Sequence, residues 1–192
     1  LGIVEHIEDK NQFRHIRIRL PEGTEENISQ GASISLDGVC LTVVEFSEHT
    51  ASFDIIDETL SRTTLSKVEI GDMINIERAM KYGDEIGGHN VSGHIDHMAE
   101  ITKINTPENN HIVKLKIPSN YMPYIIEKGY IALDGCSLTI AEVFNDGFNV
   151  CLIPETLRRT TFGFKKEGDF VNFEIEANTK AIVDSINRKK GD

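Results

Sequence analysis

The chain has 192 residues, 20 Lys plus Arg against 31 Asp plus Glu, and a formal net charge of -11, a balance that opposes binding nucleic acid through phosphates. Its 39% hydrophobic and 27% charged content exclude disorder and fibrous repeats, and no apolar run approaches the length of a membrane span. Cys40, Cys136 and Cys151 are too few and too scattered for a disulfide framework, and the acidic opening (Glu5, Glu8, Asp9) does not read as a secretory leader, so a reducing cytoplasm is expected.

Taken in chain order, the segment Gly2-Ile3-Val4-Glu5-His6 is followed by Ile16, Ile18 and Leu20, whose period of two marks a half-buried strand. Glu25 to Gln30 reads as a single helical turn. Asp37-Gly38 is a tight-turn signal, and Gly71-Asp72 is a second one before Ile74 and Ile76. After the connector Gly87-Gly88-His89 comes Gly93-His94-Ile95-Asp96-His97, then a strand at Val113, Leu115 and Ile117. A helical turn at Tyr121 to Lys128 follows, with turns at Asp134-Gly135, Asp146-Gly147 and Gly168-Asp169 and a strand at Val171, Phe173 and Ile175. The tail from Asn178 to Lys190 has Ala181, Ile182, Val183 and Ile186 at helical spacing behind an Asn178 or Thr179 cap, with cations at its far end. A lone helix of that length is marginal in water, so it should pack on its own domain or on another subunit.

Placing residue i over i+97 aligns Leu36–Glu77 with Leu133–Glu174 without a gap and with 17 identical pairs in 42 positions. Among them are Asp37/Asp134, Gly38/Gly135, Thr42/Thr139, Glu58/Glu155, Thr59/Thr156, Thr64/Thr161, Asn75/Asn172 and Glu77/Glu174. Near the start, Gly2-Ile3-Val4-Glu5-His6 matches Gly93-His94-Ile95-Asp96-His97 at a shorter offset of 91, which predicts a six-residue insertion in the second copy near Thr106 to Asn110. Two copies of about 90 residues predict two similar domains rather than a solenoid. About six short antiparallel strands per copy and no long internal helix predict an all-β fold: tandem six-stranded barrels, whose closure removes exposed edges, plus a C-terminal α-helix. The expected units are 1–87, 88–177 and 178–192.

Where the copies agree, Thr42/Thr139 and Glu58-Thr59/Glu155-Thr156 offer polar groups suited to a heterocyclic ligand, although Leu-Thr-Val is also plain strand composition and Glu-Thr-Leu a turn-to-strand corner. Where they differ, His94 faces Ile3, Ser137 faces Cys40, and Gly87-Gly88-His89 has no counterpart. Imidazole titrates near neutrality, which makes His94 and His89 the acid/base candidates. No metal is expected, since His89, His94 and His97 lack cysteines at knuckle spacing.

These segments, with Asp37-Gly38-Val39-Cys40-Leu41-Thr42-Val43, Asp134-Gly135-Cys136-Ser137-Leu138-Thr139-Ile140 and Leu152-Ile153-Pro154-Glu155-Thr156-Leu157, resemble the riboflavin synthases built from two lumazine-binding repeats. The resemblance implies a homotrimer held by the C-terminal helix and dismutation of two 6,7-dimethyl-8-ribityllumazine molecules to riboflavin and 5-amino-6-(ribitylamino)uracil, without a cofactor. It further implies that one lumazine contacts Gly2, Ile3, Val4, Cys40, Leu41, Thr42, Asp54, Ile55, Ile56, Asp57, Glu58 and Thr59. The other would contact Gly93, His94, Ile95, Lys128, Ser137, Leu138, Thr139, Leu152, Ile153, Pro154, Glu155, Thr156 and Leu157. His94, His89 and Thr139 are the expected proton shuttles, with Ser137, Cys40, water or a ribityl hydroxyl as nucleophile. The working site would lie between subunits, and association with lumazine synthase is a possible further contact. The chain departs from the family at Leu1-Gly2, where a Met-Phe-Thr start is usual, and at Glu176, where an Asp is common. The alternative within this fold is a non-catalytic lumazine or flavin carrier.

Overall fold

A computed structural model describes residues 1–107 and 110–190. The first copy forms β1 (Gly2–Lys10), β2 (Phe13–Arg19), β3 (Ser33–Leu36), β4 (Val39–Ser47), β5 (Thr50–Ile56), β6 (Met73–Ile74) and β7 (Ile76–Arg78). Their order is β6-β1-β2-β5-β4-β3-β7. The last two are one strand interrupted at Asn75: β6 pairs with β1 and β7 with β3, so a single stretch of chain covers both edges. The second copy forms β8 (His97–Asn105), β9 (His111–Lys116), β10 (Tyr130–Leu133), β11 (Cys136–Val143), β12 (Gly147–Leu152) and β13 (Phe170–Ile175), closed in the order β10-β11-β12-β9-β8-β13. The alternation expected from sequence is the reason: Ile16, Ile18 and Phe53 fill the first barrel, and Val113, Leu115 and Phe148 fill the second. The Asp37-Gly38 and Asp134-Gly135 turns have positive φ at each residue, the geometry of the two-residue hairpins that join β3 to β4 and β10 to β11.

The strand register corrects the expected alignment at the start. Val4 opposes Ile18 and, past a bulge, His6 opposes Arg17; Ile101 opposes Leu115 and, past a bulge, Lys103 opposes Lys114. Each of these pairs is displaced by 97, as is the rest of the repeat, so the mate of Gly2 is Ala99 and not Gly93. The equal offset on both strands of the hairpin leaves no place for the expected insertion near Thr106 to Asn110, of which Glu108 and Asn109 lie outside the described residues. The misreading has a physical source: the two offsets differ by six, and an even shift leaves every strand residue on the same face, so alternation alone does not separate them.

The two helical-turn expectations also shift. Residues Ser119–Tyr124 form a 3-10 helix, which starts just after Pro118 and ends before Lys128, while 25–30 forms only turns. The Glu-Thr-Leu segments are short helices rather than strand corners: α1 (Asp57–Arg62) and α2 (Pro154–Arg159). Each starts with acidic residues and ends with basic ones, in line with the helix dipole, and Pro154 opens α2 where no backbone donor is needed. The C-terminal helix α3 (Ala177–Lys190) is capped not by Asn178 or Thr179 but by Glu176, whose carboxylate accepts the Asn178 and Thr179 backbone N–H groups at 2.9 and 2.7 Å. It packs on its own barrel through Tyr124 Oη donating to Asp184 (2.5 Å) and Lys180 paired with Asp96, leaving Ile182 and Ile186 exposed. No helix among the described residues is long and apolar enough to cross a membrane.

Several of the identical repeat pairs meet where the barrels join. Asn75 Nδ2 donates to Asp37 Oδ1 (2.7 Å) and to Thr161 Oγ1 (2.9 Å), and Asn75 Oδ1 accepts the Thr161 N–H (2.9 Å). Reciprocally, Asn172 Nδ2 donates to the Asp37 carbonyl (2.9 Å) and Asn172 Oδ1 accepts the Thr64 N–H (2.8 Å). The Gly38 and Gly135 backbones are in contact, and a Cβ on Gly38 would lie 2.6 Å from the Gly135 nitrogen. Part of the sequence agreement between the copies therefore serves a pseudo-twofold joint.

Candidate functional site

Cys40 and Ser137 open the equivalent strands β4 and β11, and each meets one end of the connecting strap, residues 87–96. Gly88 lies over Ser137 so closely that a Cβ would fall 2.2 Å from Oγ, and Gly93 lies over Cys40 with 2.5 Å to its Cβ. Both glycines have positive φ (+92° and +81°), so side chains are excluded by strain as well as by space. Gly93 O accepts the Cys40 N–H at 2.9 Å. Ile95 packs against the core of the first barrel.

The strap thus sorts the expected catalytic residues into two pairs. His89 sits with Ser137: its N–H donates to Ser137 Oγ at 3.2 Å, and its Nδ1 is 2.6 Å from the same oxygen. The ring stacks on Tyr130 (5.2 Å, 19°), and Nε2 is buried with no hydrogen-bond partner among the described residues. Burial holds the His89 pKa below its usual value, against the opposing charges of Glu174 and Glu176, so the ring is neutral near pH 7 and able to accept a proton. His94, in contrast, lines a cleft of about 300 Å³ in the first barrel, with Cys40, Thr59, Arg62, Thr63 and Lys180. Its expected companions Ser137, Thr139 and Lys128 belong to the other barrel: Ser137 and Thr139 lie on β11, and the Lys128 N–H donates to the Ile140 carbonyl there. The close approach that Gly93 permits is to Cys40. The grouping of Gly93, His94 and Ile95 with the second cleft is therefore corrected: within one chain they face the first.

Alternation sorts the remaining expected contacts. Thr42, Asp54, Ile56, Asp57 and Glu58 are exposed and Thr59 half-buried, whereas Val4, Leu41 and Ile55 are core. In the second barrel Thr139, Ile153, Pro154 and Glu155 are exposed and Leu138, Thr156 and Leu157 half-buried, while Leu152 is core. Asp54 is held by His15 Nδ1 at 2.6 Å, and Glu155 by Arg158 and Arg159. Gly2 belongs inside β1, where a Cβ would strike Ile18 and Ile76; Ile3 is exposed on the same strand. Sequence reasoning assigned no role to Arg62 and Thr63, although both are identical repeat pairs with Arg159 and Thr160. Lys180 and Tyr130 carried no signal, because only folding brings α3 and β10 to the clefts.

Two barrels, with Cys40 and Ser137 at the start of equivalent strands and a polar cleft of about 300 Å³ beside Cys40, define a tandem-barrel ligand-binding protein. The lumazine binding domain model matches residues 1–79 and again residues 92–176. The chain is 48% identical to riboflavin synthase of Escherichia coli (strain K12), over 95% of this chain and 86% of that protein. It is 42% identical to riboflavin synthase of Chlamydia trachomatis serovar D, over 97% and 94%. Among solved structures, LumP complexed with 6,7-dimethyl-8-(1'-D-ribityl) lumazine superposes with a TM-score of 0.81 at 26% identity, covering 90% of this chain and 93% of that one. LumP complexed with riboflavin gives 0.82 at 28%, covering 91% and 94%. The chain belongs to the riboflavin synthase family, with two lumazine binding domains in tandem.

Proposed function

We propose that this chain converts two molecules of 6,7-dimethyl-8-ribityllumazine into one riboflavin and one 5-amino-6-(ribitylamino)uracil, with no cofactor. One observation carries the reading: a single chain, similar over nearly all its length to riboflavin synthases, has two lumazine binding domains whose equivalent strands each bear a nucleophile candidate, Ser137 hydrogen-bonded to His89 and Cys40 in one cleft with His94. The donor lumazine loses a proton from its 7-methyl group, and the anion is delocalised into the ring. His89, neutral through burial, suits that abstraction beside Ser137; His94 performs proton transfer beside Cys40. Thr42, Asp54 and Thr59 serve one lumazine and Thr139 and Thr156 the other. Much of the acceleration comes from holding two identical substrates in reacting geometry.

The first cleft, at about 300 Å³, is at the lower limit for a ligand site, which supports half-sites completed by a neighbouring subunit. In this proposal the units 1–87 and 88–177 are the two binding domains, and segment 178–192 holds a homotrimer through the exposed Ile182 and Ile186. The setting is cytoplasmic, and lumazine synthase is a candidate associate.

The test is to incubate the pure protein with 6,7-dimethyl-8-ribityllumazine alone and follow riboflavin absorbance. Riboflavin and the pyrimidine should appear in equal amounts; tight binding without product would establish the carrier instead. His94→Ala should lower kcat by about 10²–10⁴-fold, the usual contribution of a general acid or base, while affinity changes little. Unchanged turnover would remove His94 from proton transfer.

A further inference from the structure

Glu174 lies on β13, is 5% exposed, and among the described residues pairs with no cation. Its carboxylate is instead satisfied by the strap: Oε1 accepts the Ser92 N–H and hydroxyl, both at 2.7 Å, and Oε2 accepts the Gly93 N–H at 2.8 Å. From Gly93 the chain of contacts continues to the first barrel, since Gly93 O accepts the Cys40 N–H. The flanking β13 residues hold the next part of the strap, with Phe173 O accepting the Asp96 N–H and the Ile175 N–H donating to Asp96 Oδ2. His94 and Ile95 lie between these two anchors, Ile95 packed on the first barrel's core and His94 exposed into the first cleft. In the first copy the mate Glu77 accepts no such hydrogen bonds among the described residues.

We propose that Glu174 is a positioning residue for the first cleft: by pinning Ser92 and Gly93 it holds His94 over Cys40. Burying a carboxylate is costly, and this one is stabilised only by three donors of one short segment, so the site requires that segment in place. Its charge also opposes the burial that lowers the His89 pKa; removing it lowers that pKa further and leaves the ring neutral at pH 8, where turnover is compared. Glutamine separates the pin from bulk: it keeps the shape and an acceptor for Ser92, but sets an N–H against the Gly93 N–H. The catalytic part of the inference rests on the role of His94 proposed above.

The test compares wild type, Glu174→Gln, His94→Ala and the double variant. In the substrate-free protein, amide exchange at Gly93 and Cys40 should quicken about tenfold or more in Glu174→Gln, while amides of β9 and β12 stay protected. kcat should fall about tenfold with little change in KM, and the double variant should be no slower than His94→Ala alone, because the pin acts through that ring. Unchanged exchange at Gly93 and Cys40 overturns the proposal, as do losses that multiply in the double variant. If wild type forms no riboflavin, the function proposed above fails, and exchange still decides whether Glu174 pins the strap. Should Glu174→Gln not fold, Ser92→Ala removes one donor only and should shift the same two amides in the same direction by less; no shift overturns the pin.

Discussion

The three cysteines differ in what surrounds each sulfur. Cys40 and Cys151 are exposed, whereas the Cys136 thiol is pushed up to about 12 by burial and then by the nearby carboxylates Asp134, Asp37 and Glu77. The thiolate is the reactive species, so Cys136 is inert near neutrality. A disulfide reagent at pH 8 should modify two thiols per chain readily and the third only on unfolding; three thiols reacting at one rate would contradict this. That Cys40 and Ser137 are mates was legible in the sequence, because alignment of the copies needs only their spacing. The protonation of Cys136 was not, since its burial and the carboxylates of both barrels around it arise only on folding.

At the level of elements, α3 depends on its cap. Burial pushes the Glu176 carboxyl up, but the hydrogen bonds from Asn178 and Thr179 outweigh this and hold it below its ordinary value of 4.5. A lowered folded pKa stabilises above the unfolded value and the gain is lost as pH falls through the folded one. Replacing Glu176 by Ala should therefore loosen the first turn of α3 at pH 7 by about 0.5–2 kcal/mol, the usual worth of an N-cap, and the difference should vanish in acid below 4.5. Amide exchange at Asn178 and Thr179 across pH measures it, and a difference independent of pH would remove the cap role. The helix itself was legible from its spacing; the capping residue was missed because Glu is not a favoured cap by type. Its longer reach from the end of β13 makes it one. The strand β1 shows the opposite failure, a convincing motif match that a shift of six residues could imitate and only pairing with β2 could refute.

At the scale of the whole molecule, the joint between barrels contains two buried carboxylates. Burial, followed by the charge of Asp134, pushes Asp37 well above its usual range; burial raises Asp134 to about 6, opposed by Lys165. Val68 occupies the position of Lys165 in the first copy, so among the described residues Asp37 has no cation of its own barrel beside it, and the cation that opposes its rise is Lys165, which pairs with Asp134. Raised folded values mean stability that is complete at low pH and declines as pH rises through the folded pKa. Asp37→Asn keeps an acceptor for Asn75 and tolerates the positive φ of 43°, and it removes the charge. Its melting temperature relative to wild type should rise between pH 5 and pH 8; a constant or falling difference would show that Asp37 carries no buried charge cost. The sequence by itself determined the duplication, the strands, the Asp-Gly hairpins and the residue types of both clefts, because each is a matter of spacing along one chain. Only the tertiary structure decided that His89 meets Ser137, that Gly93 meets Cys40 and so brings His94 to the first cleft, and that Asn75 and Asn172 cross between barrels, because those contacts join residues 48 to 135 positions apart in the chain. No local period records which face a strap will cross.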